Sequence, residues 1–315
     1  MAGLDFEKPI AELEKKIHEL KHFVADKKID LSSEVKRLED KLEHLKKDTY
    51  VNLTPWQRVQ LARHPKRPYT LDYINLLMTN FLEVHGDRLF SDDKAIVTGF
   101  AKLDKQKVVV MGHQKGRDTK ENLRRNFGCA HPEGYRKALR MMQLAEEFNL
   151  PIVIFIDTPG AYPGIGAEER GQSQAIATNL RDMASIATPI ISIVIGEGGS
   201  GGALGVGVAD RVYILENSYY SVISPEGCAA ILWKDGSKAP EAAAVLKLTG
   251  EDLMKLKVID GIIPEPFGGA HRDPEKAAQS VKEVLVKDIK ELKSLKKETL
   301  LASRYNKFRK MGVIA

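Results

Sequence analysis

Between Gly196 and Gly205 the chain reads Gly-Glu-Gly-Gly-Ser-Gly-Gly-Ala-Leu-Gly, a run on which several chemistries can be built. Gly196, Gly198 and Gly201 satisfy the GxGxxG spacing that brings backbone close to a pyrophosphate, and Glu216 stands where a ribose-binding acid belongs. Only fourteen residues separate Ile195 from Asp210, so the following helix is too short for a full dinucleotide-binding unit. The same run satisfies GxSxG. That would make Ser200 a nucleophile, with Asp210 and His271 completing the hydrolase order Ser, Asp, His. A phosphate-binding P-loop fails, because Gly112 to Lys120 lacks GxxxxGK followed by Ser or Thr.

One further chemistry needs no reactive side chain. Consecutive glycines at a helix start leave N–H groups unpaired and unshielded, so Gly201 and Gly202 could aim two donors and the helix dipole at a developing oxyanion. Gly198, Gly199, Ser200 and Ala203 would then surround the substrate. A plainer use of these glycines is close packing of helix on strand. Asp157-Thr-Pro-Gly160 ends a second apolar run, and Gly160, Ala161 and Tyr162 could line the same site, with Tyr162 as a wall, a donor, or merely a packed turn residue. Glu168, Glu169 and Glu226 sit at helix starts, where acids suit the dipole better than they suggest catalysis. His18-Glu-Leu-Lys-His22 spells the HExxH of zinc proteases, yet both histidines fall on the solvent face of a heptad helix, with no third ligand. No metal site is expected in this chain.

The elements that must position these residues follow from periodicity. Pro151 to Ile156 and Pro189 to Ile195 are continuous apolar runs, the pattern of strands buried on both faces, and each ends in a glycine-rich loop. Helices are expected over Gly134 to Phe148, Glu168 to Ile186 and briefly to Ala209, before a strand over Arg211 to Leu215. Strand, helix, strand succession implies parallel strands with right-handed crossovers, and ligands collect at the carboxyl ends of such strands. Ile96 to Leu103 and Lys107 to His113 read as strands around a turn at Asp104 to Gln106. Ser224-Pro-Glu226 starts further helices through Leu256, Val258 to Ile263 is another apolar run, and a long Lys/Glu-rich helix begins near Pro274. The fold class is α/β. Ile10, Leu13, Ile17, Leu20 and Val24, then Leu31, Val35, Leu38, Leu42 and Leu45, step by three and four, so residues 1–50 read as a helical hairpin for assembly. A connector over 51–70, broken by Pro65 and Pro68, leads to a main domain over 71–315.

Composition excludes several functions. The 315 residues are 43% hydrophobic and carry a formal charge of only +5 with both signs interspersed, which argues against nucleic acid as the main ligand. Cys129 and Cys228 are the only cysteines, so neither a disulfide framework nor a thiolate zinc site is encoded. A reducing, cytoplasmic compartment is expected. Acidic residues in the first turns and the lack of an apolar core argue against a secretory signal, and no apolar run reaches the ~20 residues of a membrane span.

Longer words then narrow the field. KGRDTKEN (Lys115 to Asn122), RNFGCAHPEGYRKALR (Arg125 to Arg140), GAYPGIGAEERGQ (Gly160 to Gln172), IGEGGSGGALG (Ile195 to Gly205), SVISPEG (Ser221 to Gly227) and EPFGGAHRD (Glu265 to Asp273) resemble the carboxyltransferase alpha subunits of bacterial-type acetyl-CoA carboxylase. The resemblance covers nearly the whole chain. It implies a crotonase-like fold of stacked β-β-α units, with the helical hairpin in front and a long helix behind. It also implies an alpha2beta2 assembly with a beta subunit that holds the structural zinc, and work alongside a biotin carboxyl carrier protein and an ATP-using biotin carboxylase. In that family carboxybiotin on the carrier gives its carboxyl group to acetyl-CoA, yielding malonyl-CoA for fatty acid synthesis. By analogy Gly201 and Gly202 hold the biotin ureido oxygen. Lys115, Arg117, Lys120, Arg124 and Arg125 could meet CoA phosphates or the carrier, although a solvated face or a subunit contact explains such a cluster equally well. A bulky residue at Gly202 is expected to block the site without disturbing the fold.

Overall fold

The computed structural model describes residues 4–27 and 31–312. The heptad stripes form α1 (Lys8–Lys27) and α2 (Ser32–Val51), which bury Ile10, Ile17 and Leu42 between them. Lys46 pairs with Glu14 and Lys21 with Glu39, so the two arms run antiparallel. The hairpin is fastened to the body through Glu7, whose carboxylate accepts from Tyr50 Oη and lies 3.7 Å from His271 Nε2.

The expected connector is part of the core. Thr54 caps α3 (Pro55–Ala62) through a capping box with Gln57, and Val59 and Leu61 of that helix are fully buried. Beyond it Arg67 is 1% exposed, pairs with Glu265 and donates to the Ile195 carbonyl at 2.6 Å. Pro65 and Pro68 lie between α3 and the next helix, where breakers were expected. α4 (Thr70–Leu77) and the short β1 (Met78–Glu83) follow.

β2 (Ile96–Leu103) and β3 (Gln106–His113) pair antiparallel around the expected turn, and β1 joins β2 in the same sense. After α5 (Thr119–Arg124) and α6 (Pro132–Glu147), the order is β4 (Ile152–Thr158), α7 (Ile165–Glu169), α8 (Gln172–Met183), β5 (Ile190–Gly199), α9 (Ser200–Leu204) and β6 (Arg211–Leu215). β7 (Tyr219–Ser221), α10 (Pro225–Trp233), α11 (Ala239–Val245), α12 (Gly250–Lys255), β8 (Gly261–Ile263), α13 (Pro274–Lys293) and α14 (Lys297–Arg309) complete the chain. The sheet runs β1-β2-β3-β4-β5-β6-β8, parallel from β3 onward, with β7 on the far end of β5.

Every residue of β4 and β5 is buried because both sheet faces are covered. Ile152, Ile154 and Ile156 face the cluster that includes residues of α6 and α8, and Val153 and Phe155 face the one that includes residues of α4 and α13. Three boundaries differ from expectation. The helix expected over Glu168 to Ile186 breaks at Gly171, which has φ 80°. The last long helix divides into α13 and α14. β5 continues through Gly196–Gly199, because β7, too short to read in sequence, pairs with that stretch. Among the described residues no helix is long and apolar enough to cross a membrane.

The division of the last helix has a structural use. α14 buries Arg304, whose guanidinium meets Asp210 at 2.7 and 2.8 Å and the carbonyls of Met183, Ile186 and Thr188. Removing one partner of a buried pair leaves an uncompensated charge. Arg304→Met is therefore expected to lower unfolding free energy by about 3–5 kcal/mol, read as a lower urea midpoint at constant m-value; an unchanged midpoint would show that α14 does not hold the sheet.

Candidate functional site

β4 and β5 run parallel in one register as far as Ile156 opposite Val194, and a bulge then sets Thr158 opposite Gly198, so their carboxyl ends deliver both glycine loops to one sheet edge. The loops touch through main chain alone. A Cβ on Gly199 would lie 2.1 Å from the Pro159 carbonyl oxygen, and one on Gly202 would lie 2.5 Å from Gly160 C and 2.6 Å from Ala161 N. Only glycine permits that approach. At Gly201 the nearest atom to an added Cβ is Ile176 Cδ1 at 3.7 Å, so space exists there. The expectation that bulk at Gly202 spares the fold is accordingly corrected: any side chain there forces the two loops apart.

Ser200 takes a left-handed conformation, φ 50°, and turns strand into helix within one residue. With α9 beginning at Ser200, the N–H groups of Gly201 and Gly202 precede the first possible intrahelical acceptors. Neither therefore has an acceptor within α9, and among the described residues the Ala161 N–H beside Gly202 has no main-chain acceptor. Ala161 was expected near substrate only as a lining residue; its place as a third free donor depends on the approach of the loops, which no spacing rule conveys. Gly201 and Ser200 open onto a cavity of about 420 Å³ walled by Leu204, Tyr220, Val222, Leu253 and Phe308, while Gly202 is buried behind them. Tyr162 is partly exposed, stacks on His131 at 4.1 Å and is held through its main chain by Ala130 and Gln172.

Beneath the loops lies a buried polar network. Lys115 Nζ sits 2.7 Å from Asp157 Oδ1 and 2.8 Å from Glu197 Oε1, and the Glu197 N–H donates to Asp157 at 2.9 Å. Glu197 also accepts from Arg63 Nε and Tyr219 Oη, both at 2.7 Å, and Arg63 continues to Glu226. Burial alone would raise Glu197, yet the Lys115 and Arg63 cations hold it at about 2. Asp157 is pushed up, by its complete desolvation and the adjacent Glu197 charge, against the pull of Lys115. The two carboxylates keep Lys115 charged above its ordinary range despite burial.

This placement corrects the basic cluster. Lys115 is occupied with two carboxylates and is not available to a phosphate. Arg117 caps the carbonyls of Pro65 and Arg67, pairs with Asp72 and covers the Tyr69 ring at 3.9 Å. Arg125 is held by Glu121 and the Lys94 carbonyl. Lys120 and Arg124 remain exposed, without an ion pair among the described residues.

The competing motifs do not assemble. Asp210 is committed to Arg304, His271 stacks on His64 at 3.9 Å, and neither meets Ser200, so there is no triad. Glu216 accepts from the Glu265 N–H. His18 and His22 are exposed on α1. Two histidine–carboxylate groups do converge, Glu7 with His64 and His271, and Asp93 with His131 and Glu133. Their carboxylates already accept from Tyr50, from the His131 main chain and from Arg170, so they read as packing contacts.

Parallel strands that bring two glycine loops and the first amides of α9 to one edge, with no assembled nucleophile, form a crotonase-like α/β fold. The fold is shared with a 12S transcarboxylase, at TM-score 0.54 and 21% identity over 69% of this chain and 43% of that longer one. A Pseudomonas malonate decarboxylase hetero-tetramer gives TM-score 0.59 and 16% identity, covering 75% of this chain and 91% of that one. The family described as acetyl co-enzyme A carboxylase carboxyltransferase-like matches residues 3–312. The chain is 58% identical over 312 residues to the acetyl-coenzyme A carboxylase carboxyl transferase subunit alpha of Thermus thermophilus, covering 99% of each. The Geobacillus sp. subunit of the same name is 61% identical over 315 residues, covering 100% of this chain and 97% of its own. The chain belongs to the family of acetyl-CoA carboxylase carboxyl transferase alpha subunits.

The network makes a pH prediction with a fixed sign. Because Glu197 is held below its unfolded value, its contribution is complete above about pH 5 and is lost as pH falls toward about 2. Lys115→Met removes the main depressing charge, so that variant is expected to be less stable at pH 7 and to lose less stability across this acid window. Urea titrations at stepped pH read both effects, and parallel curves for the two proteins would contradict the assignment.

Proposed function

We propose that the chain is the carboxybiotin-facing half of an acetyl-CoA carboxyltransferase, completed by a beta subunit in an alpha2beta2 assembly. The observation that carries this reading is the pair of N–H groups at the start of α9 that have no acceptor within the helix, with Gly202 seated against Gly160 and Ala161 by a contact that only glycine allows. Carboxybiotin, loaded by a separate ATP-using biotin carboxylase and presented on a carrier protein, supplies the carboxyl group: its N–carboxyl bond breaks and a carbon–carbon bond forms at the acetyl-CoA methyl, giving malonyl-CoA. Negative charge gathers on the ureido oxygen as that bond breaks. The Gly201 and Gly202 donors, with the α9 dipole behind them, meet the charge without reorganising. Gly160, Ala161 and Tyr162 form the opposite wall, and Ala203 and Gly198 to Ser200 shape the approach.

The methyl proton passes to the ureido nitrogen, so no side-chain base is required of this chain. That agrees with the state of its nearest carboxylates, since Asp157 and Glu197 are both spent on Lys115. The apolar cavity wall lowers the local dielectric and strengthens each N–H contact. The reading places the chain in the cytoplasm with its carrier and biotin carboxylase, and leaves zinc to the beta subunit.

Turnover is tested with purified chain, acetyl-CoA and carboxybiotin, with and without a cysteine-rich beta partner. Both subunits are expected to be required. Gly202→Ala, which displaces the α9 start from Gly160 and Ala161, should lower kcat by about 10²–10³, the scale of losing one oxyanion donor. Ser200→Ala should stay close to wild type. Partner-independent ester hydrolysis that vanishes in Ser200→Ala would overturn the reading in favour of a hydrolase.

A further inference from the structure

α6 and α8 leave a groove of about 420 Å³ that shares no residue with the glycine loops. Helical spacing sets Arg136, Arg140 and Gln143 along one wall and Gln174 and Thr178 along the other, with Arg170 where α7 gives way to α8. Three guanidinium groups thus meet a single lining acid, Asp87. That acid is spent: Asp87 Oδ2 takes Arg136 Nε at 2.8 Å, and Oδ1 accepts the N–H groups of Leu89, Phe90 and Ser91. Arg170 is taken by Glu133.

Arg140 is left over. Its one acceptor is the His85 carbonyl, 3.1 Å from Nη2, and its Nε is buried without any acceptor. Arg88 lies near enough to repel it and, among the described residues, forms no ion pair of its own; burial and that repulsion together push the Arg140 guanidinium below its ordinary range. The nearest acid, Asp87, acts on Arg140 only at a distance because its oxygens are committed to Arg136 and to main-chain N–H groups, so a cation with an orphaned buried donor gains from an anion that joins it. We propose that this groove is a binding site for a phosphate-type anion, held by Arg140 and oriented by the neutral donors Gln143, Gln174 and Thr178. Guanidinium forks match phosphate oxygens two at a time, and the volume suits a small molecule rather than a lone ion.

The phosphate could be that of coenzyme A or of a free metabolite, and one set of measurements separates these. Inorganic pyrophosphate is titrated calorimetrically into the full chain, alone and in complex with its beta partner. Binding should weaken as salt rises. Arg140→Met and Gln143→Glu, both on an open groove and both expected to melt near wild type, should each weaken it by about tenfold or more. If coenzyme A is the source, it competes with pyrophosphate, and Arg140→Met raises KM for acetyl-CoA at unchanged kcat. If a free metabolite is the source, coenzyme A does not compete and the kinetic constants hold. The site is refuted if wild-type chain does not bind pyrophosphate, if Arg140→Met binds it as tightly as wild type, or if the beta partner abolishes binding by filling the groove itself. None of these outcomes touches the oxyanion reading, which is decided by kcat in the Gly202 variant.

Discussion

A single ammonium group shared between two carboxylates sets the geometry on which the site depends. Lys115 follows β3, Asp157 lies near the end of β4 and Glu197 lies in the last third of β5, so one side chain ties three adjacent strands together. Burying these charges is costly, and each has only one position in which its partners neutralise it. The network therefore adds little net stability compared with an apolar filling, but it restricts how β4 and β5 end relative to one another. That restriction matters because the loops beyond them approach through backbone atoms, where a small shift either opens the contact or makes it clash.

The same constraint extends backward along the chain. Arg63 and Arg67, both from the segment ahead of the main domain, grip Glu197 and the Ile195 carbonyl, on either side of the point where β5 turns glycine-rich. Arg67 is answered by Glu265, which also accepts from the Ala270 N–H, and the next residue, His271, meets Glu7 at the foot of the helical hairpin. Polar contacts thus run without interruption from the glycine loop to the hairpin. The helical hairpin is physically continuous with the glycine loop, so the loop is held in part by whatever holds the hairpin.

Much of this was legible in sequence for clear reasons. The apolar runs at Ile152 to Ile156 and Ile190 to Ile195 are long, β-branched and glycine-terminated, so strands and loops declared themselves. Short elements did not: β7 has three residues, and its pairing is what keeps Gly196–Gly199 extended. Single side chains were hardest to place. Lys115 and Arg117 look like surface charges in a run of basic residues, and only the fold shows that one is buried beneath the loops and the other clamps a turn. Ser200, Asp210 and His271 fit a motif and a chain order, yet a motif records spacing along the chain and not convergence in space. The Glu168 to Ile186 helix was placed but not its break, since a lone glycine in a helical pattern does not reveal whether it takes a positive φ.

The resulting site is one that cannot recognise much by itself. Its donors are main-chain amides, which offer polarity and position but no shape that distinguishes one oxyanion from another. Holding Ser200 in a left-handed conformation costs roughly 1–2 kcal/mol for a non-glycine residue, and the return is that helix α9 begins within one residue of the strand. The serine hydroxyl, which neither Asp210 nor His271 meets, is incidental to that turn. Selectivity must then come from what encloses the donors, and on this chain the enclosure is a largely apolar wall that also carries Tyr220, Ser221 and Lys247. A cavity of this kind is closed against water only when a second surface covers it.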